Sequence, residues 1–234
     1  MKMGTVVRQI PRSSLDELRE LREAGVATVH EAMGRLGLMK PYMRPIHPGA
    51  RISGNAITVL AHPGDNWMIH VAVELCAPGD VLVVAVSAEN SDGMFGELLG
   101  TSLRAHGVAG LVIDAGVRDI QDLMAMKFPV WSRCISAKGT IKATPGMVNT
   151  PVVCAGAAVN AGDVVVADDD GVVVVPYGSV NETIVAARER LAKEAAKRAR
   201  LAKGELGLDI DNMRPELEKL GLRYYETIAD LTKS

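Results

Sequence analysis

The run Leu111-Val112-Ile113-Asp114-Ala115-Gly116-Val117-Arg118-Asp119 reads as an apolar strand entering a small-residue turn, with a cation and an anion adjacent at its exit. Ligands of open α/β sheets bind at such strand exits. A carboxylate there suits a hard divalent cation, and a neighbouring guanidinium can donate hydrogen bonds to an oxyanion. The pair has a plainer reading too, in which Asp119 caps the next helix and Arg118 lies in solvent. A second constellation, Phe95-Gly96-Glu97-Leu98-Leu99-Gly100-Thr101, opens a helix behind a glycine, so free backbone N–H groups are available to an anionic substrate. It is equally an ordinary helix start with Glu97 well placed in the first turn. Gly64-Asp65-Asn66-Trp67 precedes another helix and adds Asn66 as a candidate ligand contact, alongside the simple role of Asp65 or Asn66 as N-cap.

Other acidic and basic clusters carry less. Asp168-Asp169-Asp170-Gly171 lacks the alternate-position spacing of a calcium loop and is flanked by β-branched runs, so a hairpin turn is expected. His30, His47, His62, His70 and His106 show no metal-ligand spacing and are expected in core or surface roles. A net charge of −2 and 3% aromatic residues argue against nucleic acid as a partner. Cys76, Cys134 and Cys154 are odd in number and far apart, which fits a reducing cytoplasm better than a disulfide framework. With no run near the roughly 20 apolar residues of a membrane span, no membrane association is expected.

These candidates need elements to position them. Ser14-Leu15-Asp16-Glu17 has capping-box spacing, Leu15, Leu18 and Leu21 form a stripe, and Gly25 ends it, predicting a first helix. A second is expected over His30 to Leu36, followed by a proline-rich loop. Strand-sized runs follow at Ala56 to Leu60, Val81 to Val86, Gly110 to Ile113, Val152 to Cys154, Val164 to Ala167 and Val172 to Val175. Helical candidates alternate with them at Trp67 to Cys76, Glu97 to His106 and Ile120 to Met126, so the class is α/β. Residues 182 to 203 read as a charged helix with Glu189–Lys193 and Glu194–Arg198 pairs, and the tail from Gly204 as an extension packing on a neighbour. The expected division is a catalytic domain over 1–181 and a helix-and-tail segment over 182–234.

Five segments together carry a family resemblance: Gly25 to Ala32, Pro63 to His70, Ile113 to Asp119, Phe128 to Ser132, and Asp168 to Pro176. The chain resembles the 4-hydroxy-4-methyl-2-oxoglutarate/4-carboxy-4-hydroxy-2-oxoadipate aldolases, class II pyruvate aldolases of the regulator of ribonuclease activity A-like superfamily. Their signature is an acidic residue, twenty intervening residues and Arg-Asp, matched here by Glu97 and Arg118-Asp119. The resemblance implies a three-layer β/β/α swivelling fold with a C-terminal helical extension, assembled as homotrimers or hexamers. It implies Asp119 as ligand of Mg²⁺ or Mn²⁺, Arg118 as donor to an enolate oxygen, and the backbone of Gly96, Glu97, Leu98 and Leu99 as the carboxylate pocket. Glu194 is implied as a catalytic group supplied by an adjacent subunit, joining Glu97. Metal chemistry would replace a Schiff-base lysine, leaving Lys127, Lys138 and Lys142 as bystanders. The implied activity is retro-aldol cleavage in aromatic-acid catabolism, with oxaloacetate decarboxylation on the side. The alternative is a non-catalytic ribonuclease-binding regulator of the same fold. A methyltransferase reading of Ile113-Asp114-Ala115-Gly116 fails, because Arg118 stands where backbone should approach the cofactor.

Overall fold

Ser14 starts the first helix as its spacing predicts. Its hydroxyl accepts from the Glu17 N–H and the Glu17 carboxylate accepts from the Ser14 N–H, closing a capping box on α1 (Leu15–Ala24). Leu18 and Leu21 of the stripe are buried, whereas Leu15 is exposed. Gly25, at φ 82°, ends α1 and begins α2 (Val26–Ala32), which therefore starts before the expected His30. Positive φ at Gly34, Arg35 and Gly37 prevents the helix from reaching Leu36. The structure, a computed structural model, describes residues 2–232.

The main sheet contains the short strands β1 (Thr5–Val6) and β2 (Arg44–Pro45), then β3 (Ile52–Ala61), β4 (Val81–Val86), β5 (Gly93–Phe95), β6 (Gly110–Val117), β7 (Val130–Ile135) and β8 (Met147–Val148). Their order is β1-β8-β3-β4-β6-β7-β2, with β5 beside β6. The central pairs β3–β4, β4–β6 and β6–β7 are parallel. Helices α3 (Trp67–Val73), α4 (Glu97–Ala105) and α5 (Ile120–Ala125) cover one face, where Ile57, Leu82 and Ile113 share a core with Ile69, Leu103 and Leu123. Parallel strands need such crossovers, which bring the β6–α5 and β5–α4 junctions to the same edge of the sheet.

A second β layer lies on the other face: β9 (Val152–Cys154), β10 (Ala157–Val159), β11 (Val164–Asp168) and β12 (Gly171–Val175). Strand β3 joins the layers, its first half pairing antiparallel with β11 and its second half parallel with β4. Gly54 permits the crossing, since a Cβ there would stand 2.2 Å from the Gly79 carbonyl oxygen. Asp169-Asp170 forms the two-residue turn of the β11–β12 hairpin, with Asp168 opposite Gly171, so the turn reading of this acidic run holds. Val165, Ala167, Val172 and Val174 face the main sheet, while Val164, Val166, Val173 and Val175 pack under α1, α2 and the start of α6 (Val180–Leu201). Burial on both faces explains the unbroken valine runs. The architecture is the expected three-layer β/β/α arrangement, with these additional helices outside the second β layer.

Contacts divide the chain into two compact units, Met1–Arg188 and Glu189–Ser234. The second contains the rest of α6, α7 (Gly207–Ile210) and α8 (Arg214–Lys219). None of its described residues is buried, and its ion pairs include Arg200 with Glu205 and Lys197 with Asp211.

Candidate active site

Strand β6 delivers Arg118 and Asp119 to the edge where α4 begins. The Arg118 N–H donates to the Phe95 carbonyl at 2.9 Å, locking the β6 exit to the residue before Gly96. Asp119 then adopts the left-handed conformation, φ 55° and ψ 41°, which costs a non-glycine residue strain and is best tolerated by Asp and Asn. Its carbonyl accepts the Leu123 N–H, starting α5. Its carboxylate does not cap that helix. Oδ2 instead accepts the backbone N–H of Glu97 at 3.0 Å, so Asp119 caps α4 from a distance. Gly96 is required for this approach, because a Cβ there would lie 2.2 Å from that oxygen.

The side chains so placed retain open valences. No described residue hydrogen-bonds Asp119 Oδ1. The Arg118 guanidinium stands 3.6 Å from Asp119 Oδ2, beyond hydrogen-bond range, and has no other ion partner among the described residues. Leu98 and Leu99, in the first turn of α4, contribute N–H groups that no carbonyl of that turn can accept. Together with Asn66 these groups line a small cavity of about 110 Å³. Arg118 and Asp119 also border a shallower depression with Ile135 and Ser136. A larger cavity of about 470 Å³ among α2, β10, β12 and α6 is lined mostly by apolar side chains and holds one ionisable group, Glu182.

Asp65 fixes the opposite wall. Only 1% exposed, it accepts from the Trp67 N–H through Oδ1 and from the Ala143 and Thr144 N–H groups through Oδ2. Burial works against its ionisation, but the three backbone donors outweigh it and hold the carboxyl below its usual value of 3.8. Asp65 thus caps α3, the role that either Asp65 or Asn66 was expected to fill. Asn66 points elsewhere: its Nδ2 donates to the Met94 carbonyl at 3.1 Å, and no described donor reaches its buried Oδ1.

Two residues outside the sequence-derived set also line the cavity, His70 and Lys142. His70 was expected in a core or surface role and Lys142 as a bystander. The imidazole is held below its usual value of 6.5, first by burial and then by the charge of Lys142. Loop residues distant in the chain leave no spacing signal, so Lys142 could not be found from its neighbours in sequence. Of the other lysines, Lys138 pairs with Asp92.

Both candidate glutamates are engaged within the chain. Glu97 brings its backbone to the site, while its carboxylate accepts from the Thr101 hydroxyl at 2.8 Å, one turn along α4. Glu194 pairs with Arg190 at 2.8 Å, toward the helix N-terminus instead of with the expected Arg198. It belongs to the second compact unit.

A match over residues 26–174 identifies the family described as RraA-like, Aldolase/RraA. The chain belongs to it. The matched region takes in Asn66, Gly96 to Leu99, Arg118, Asp119 and Lys142 and ends before Glu194. A Halalkalibacterium halodurans protein named "Putative 4-hydroxy-4-methyl-2-oxoglutarate aldolase" is 26% identical over 89% of this chain and 97% of its own length. A Burkholderia multivorans protein of the same name is 33% identical over 61% of this chain and 87% of its own. Among solved structures, Streptomyces coelicolor RraAS2, described as an unusual member of the RNase ES inhibitor RraA protein family, superposes with a TM-score of 0.73 at 27% identity, covering 81% of this chain and 99% of that one. Members of the Aldolase/RraA family thus carry both aldolase and ribonuclease-inhibitor names.

Proposed function

We propose that this chain is a divalent-metal-dependent lyase, cleaving 4-carboxy-4-hydroxy-2-oxoadipate to pyruvate and oxaloacetate and 4-hydroxy-4-methyl-2-oxoglutarate to two pyruvates. One observation carries the reading: at the N-terminus of α4, a strained aspartate with an open oxygen adjoins a guanidinium that no described residue hydrogen-bonds. A helix cap needs neither an unoccupied Arg118 nor an open Oδ1.

The residues present fit a hard cation. No group of three His, Cys, Asp or Glu converges among the described residues, so the protein offers no closed cage. Mg²⁺ and Mn²⁺ accept one carboxylate and take their remaining ligands from water and substrate oxygens. Held by Asp119, such an ion would supply Lewis acidity at the substrate's 2-oxo group. The chain does the rest. The Leu98 and Leu99 N–H groups receive the C1 carboxylate at the positive end of α4. Arg118 donates to the 2-oxo oxygen as C3–C4 cleavage turns it into an enolate. Glu97 and Glu194 of a second copy orient the water that takes the C4 hydroxyl proton and returns it to C3 of the enolate, releasing pyruvate. Loss of CO₂ from oxaloacetate leaves the same pyruvate enolate, so decarboxylation is the expected side activity.

Sharing of the site between copies is supported by the second unit, which exposes Leu220, Tyr224 and Ile228 and buries none of its described residues. A homotrimer or hexamer would cover such apolar surface. Among the described residues no helix is long and apolar enough to cross a membrane. The reading is of a cytoplasmic enzyme acting on a small 2-oxo acid.

The test is pyruvate release from 4-carboxy-4-hydroxy-2-oxoadipate, with Mg²⁺ or Mn²⁺ and with chelator. Metal-restored release is expected. No release under any metal condition would return the chain to the ribonuclease-regulator reading that relatives such as RraAS2 bring with them.

A further inference from the structure

Strand β6 changes partners on both flanks at a single point. On one side it pairs with β4 as far as Ile113 and with β5 from Gly116 onward. On the other, Ile113 lies opposite Ser132 of β7 and Gly116 opposite Cys134, so Asp114 and Ala115 stand against Arg133 alone. One extra residue in one strand is a β-bulge, a device that re-aims the side chains beyond it. Had the register run on unbroken, Ala115 would pair with Cys134. Each later residue of β6, with Arg118 and Asp119 after it, would then be turned toward the opposite face of the sheet.

The residues of the bulge are tied to one another and to the elements around them. Asp114 Oδ1 accepts from Arg133 Nε at 3.0 Å and from the Tyr42 hydroxyl at 2.9 Å, and Oδ2 accepts the Ala155 N–H at 2.9 Å. Arg133 spends its other nitrogens on the Tyr42 hydroxyl at 2.9 Å and on Glu89 at 2.6 Å, with its guanidinium 4.5 Å from the centre of the Tyr42 ring. Glu89 sits in the loop from β4 to β5. The Ser91 and Asp92 carbonyls of that loop close on Gly116 so tightly that a Cβ there would meet them at 2.5 and 2.8 Å. The Asp114 and Arg133 side chains are 13% and 20% exposed, so solvent screens the pair less than it would a surface ion pair. Apolar residues between the two β layers would serve packing as well, because a buried ion pair gains little net stability over them. What the pair adds is direction.

We propose that Asp114, clamped by Arg133, is a positioning residue, fixing the bulge that aims Arg118 and Asp119 at the start of α4. This role rests on the proposed reading of Asp119 as a metal ligand. Residues that orient a ligand without touching the metal typically account for about 10- to 100-fold in metal affinity.

The experiment is Mn²⁺ binding, followed by the electron paramagnetic resonance of the free ion at a temperature well below each variant's melting midpoint, beside pyruvate release. Asp114→Ala and Arg133→Ala should each weaken Mn²⁺ binding by about tenfold or more, and the double variant should be little worse than either, because both act through one bulge. Where Asp114→Ala does not fold, Asp114→Asn, isosteric and still able to accept from Arg133, carries the test with a loss in the same direction. Asp168→Ala, which strips two backbone N–H groups outside the bulge, should bind Mn²⁺ as the wild type does. Wild-type affinity in the Asp114 variant, or a loss that Asp168→Ala matches, would overturn the positioning role while leaving the reaction intact. A wild type that binds no Mn²⁺, or an Asp119→Ala variant that binds it equally well, removes the metal reading itself, and this role with it.

Discussion

Two helices in this molecule begin in the same way and end with different work. At α2 the N-cap is Gly25, and the first N–H, from Val26, is accepted at 2.9 Å by Asp168 from a distant hairpin, with Arg51 3.8 Å away. At α4 the N-cap is Gly96, and the first N–H, from Glu97, is accepted at 3.0 Å by Asp119 from a distant strand exit, with Arg118 3.6 Å away. The parts are alike: glycine, remote aspartate, arginine. What differs is the second oxygen. Asp168 Oδ1 accepts the Asp170 N–H and the side chain is 10% exposed, whereas Asp119 Oδ1 has no described partner and the side chain is 40% exposed. One carboxylate is saturated by the fold, and the other keeps a coordination position. A functional site here is a structural cap left incomplete.

That contrast can be broken most directly through the arginines. Arg118→Ala should lower kcat by about 10²- to 10³-fold, the usual cost of one oxyanion donor, while its counterpart Arg51→Ala leaves turnover near normal. Steady-state pyruvate release decides; similar rates for the two variants would erase the distinction. The aspartates should show the reverse sensitivity in stability. Asp168→Ala strips two backbone N–H groups in a buried setting and is expected to cost about 3 kcal/mol in denaturant unfolding, against about 1 kcal/mol for the half-exposed cap of Asp119→Ala. Chelation and re-addition of Mg²⁺ should matter to wild-type turnover and leave Asp119→Ala inactive throughout.

The glycines sharpen the comparison on a smaller scale. Gly25 has positive φ, so Gly25→Ala should destabilise by about 1–2 kcal/mol. Gly96 has an extended backbone, φ −157°, so Gly96→Ala should spare most of the stability and lower activity by displacing Asp119. Thermal melts and kcat measured together separate the two outcomes.

The smallest effect is a pH dependence at Asp65. Its folded carboxyl titrates below the ordinary 3.8, so its contribution to stability is complete above that value and declines as pH falls further. The melting temperature of Asp65→Asn should therefore trail that of the wild type at pH 7 and converge with it toward pH 3. A gap that widened with acid would contradict the sign.

Local features were legible in the chain. The Ser14 capping box, the valine strands and the Asp-Gly hairpin all involve residues within a few positions of one another, and the structure contains each. Strand β7, Val130–Ile135, was missed because Ser132 and Arg133 interrupt its apolar pattern, and three-residue β5 is too short to show a period. For the site, the sequence brought out Arg118, Asp119 and the α4 turn, but not which helix Asp119 caps. Proximity in sequence pointed to α5, whereas tertiary contact made it α4. Lys142 stayed hidden for a related reason, since its position depends on Asp65, far away along the chain.

The valine hairpin has a consequence for how the chain finds its fold. Where one face of a strand is polar, slipping by one residue is punished, because every side chain changes sides. In β11 and β12 both faces are apolar, so Val164-Val165-Val166 paired one step out of place would bury nearly the same surface. Correct alignment must come from the ends. At one end Asp168 binds the N–H groups of Val26 and Asp170; at the other Asp163 binds those of Asn160 and Tyr177. The two aspartates act as stops on an otherwise sliding pair, giving a featureless hydrophobic ribbon a single reading frame.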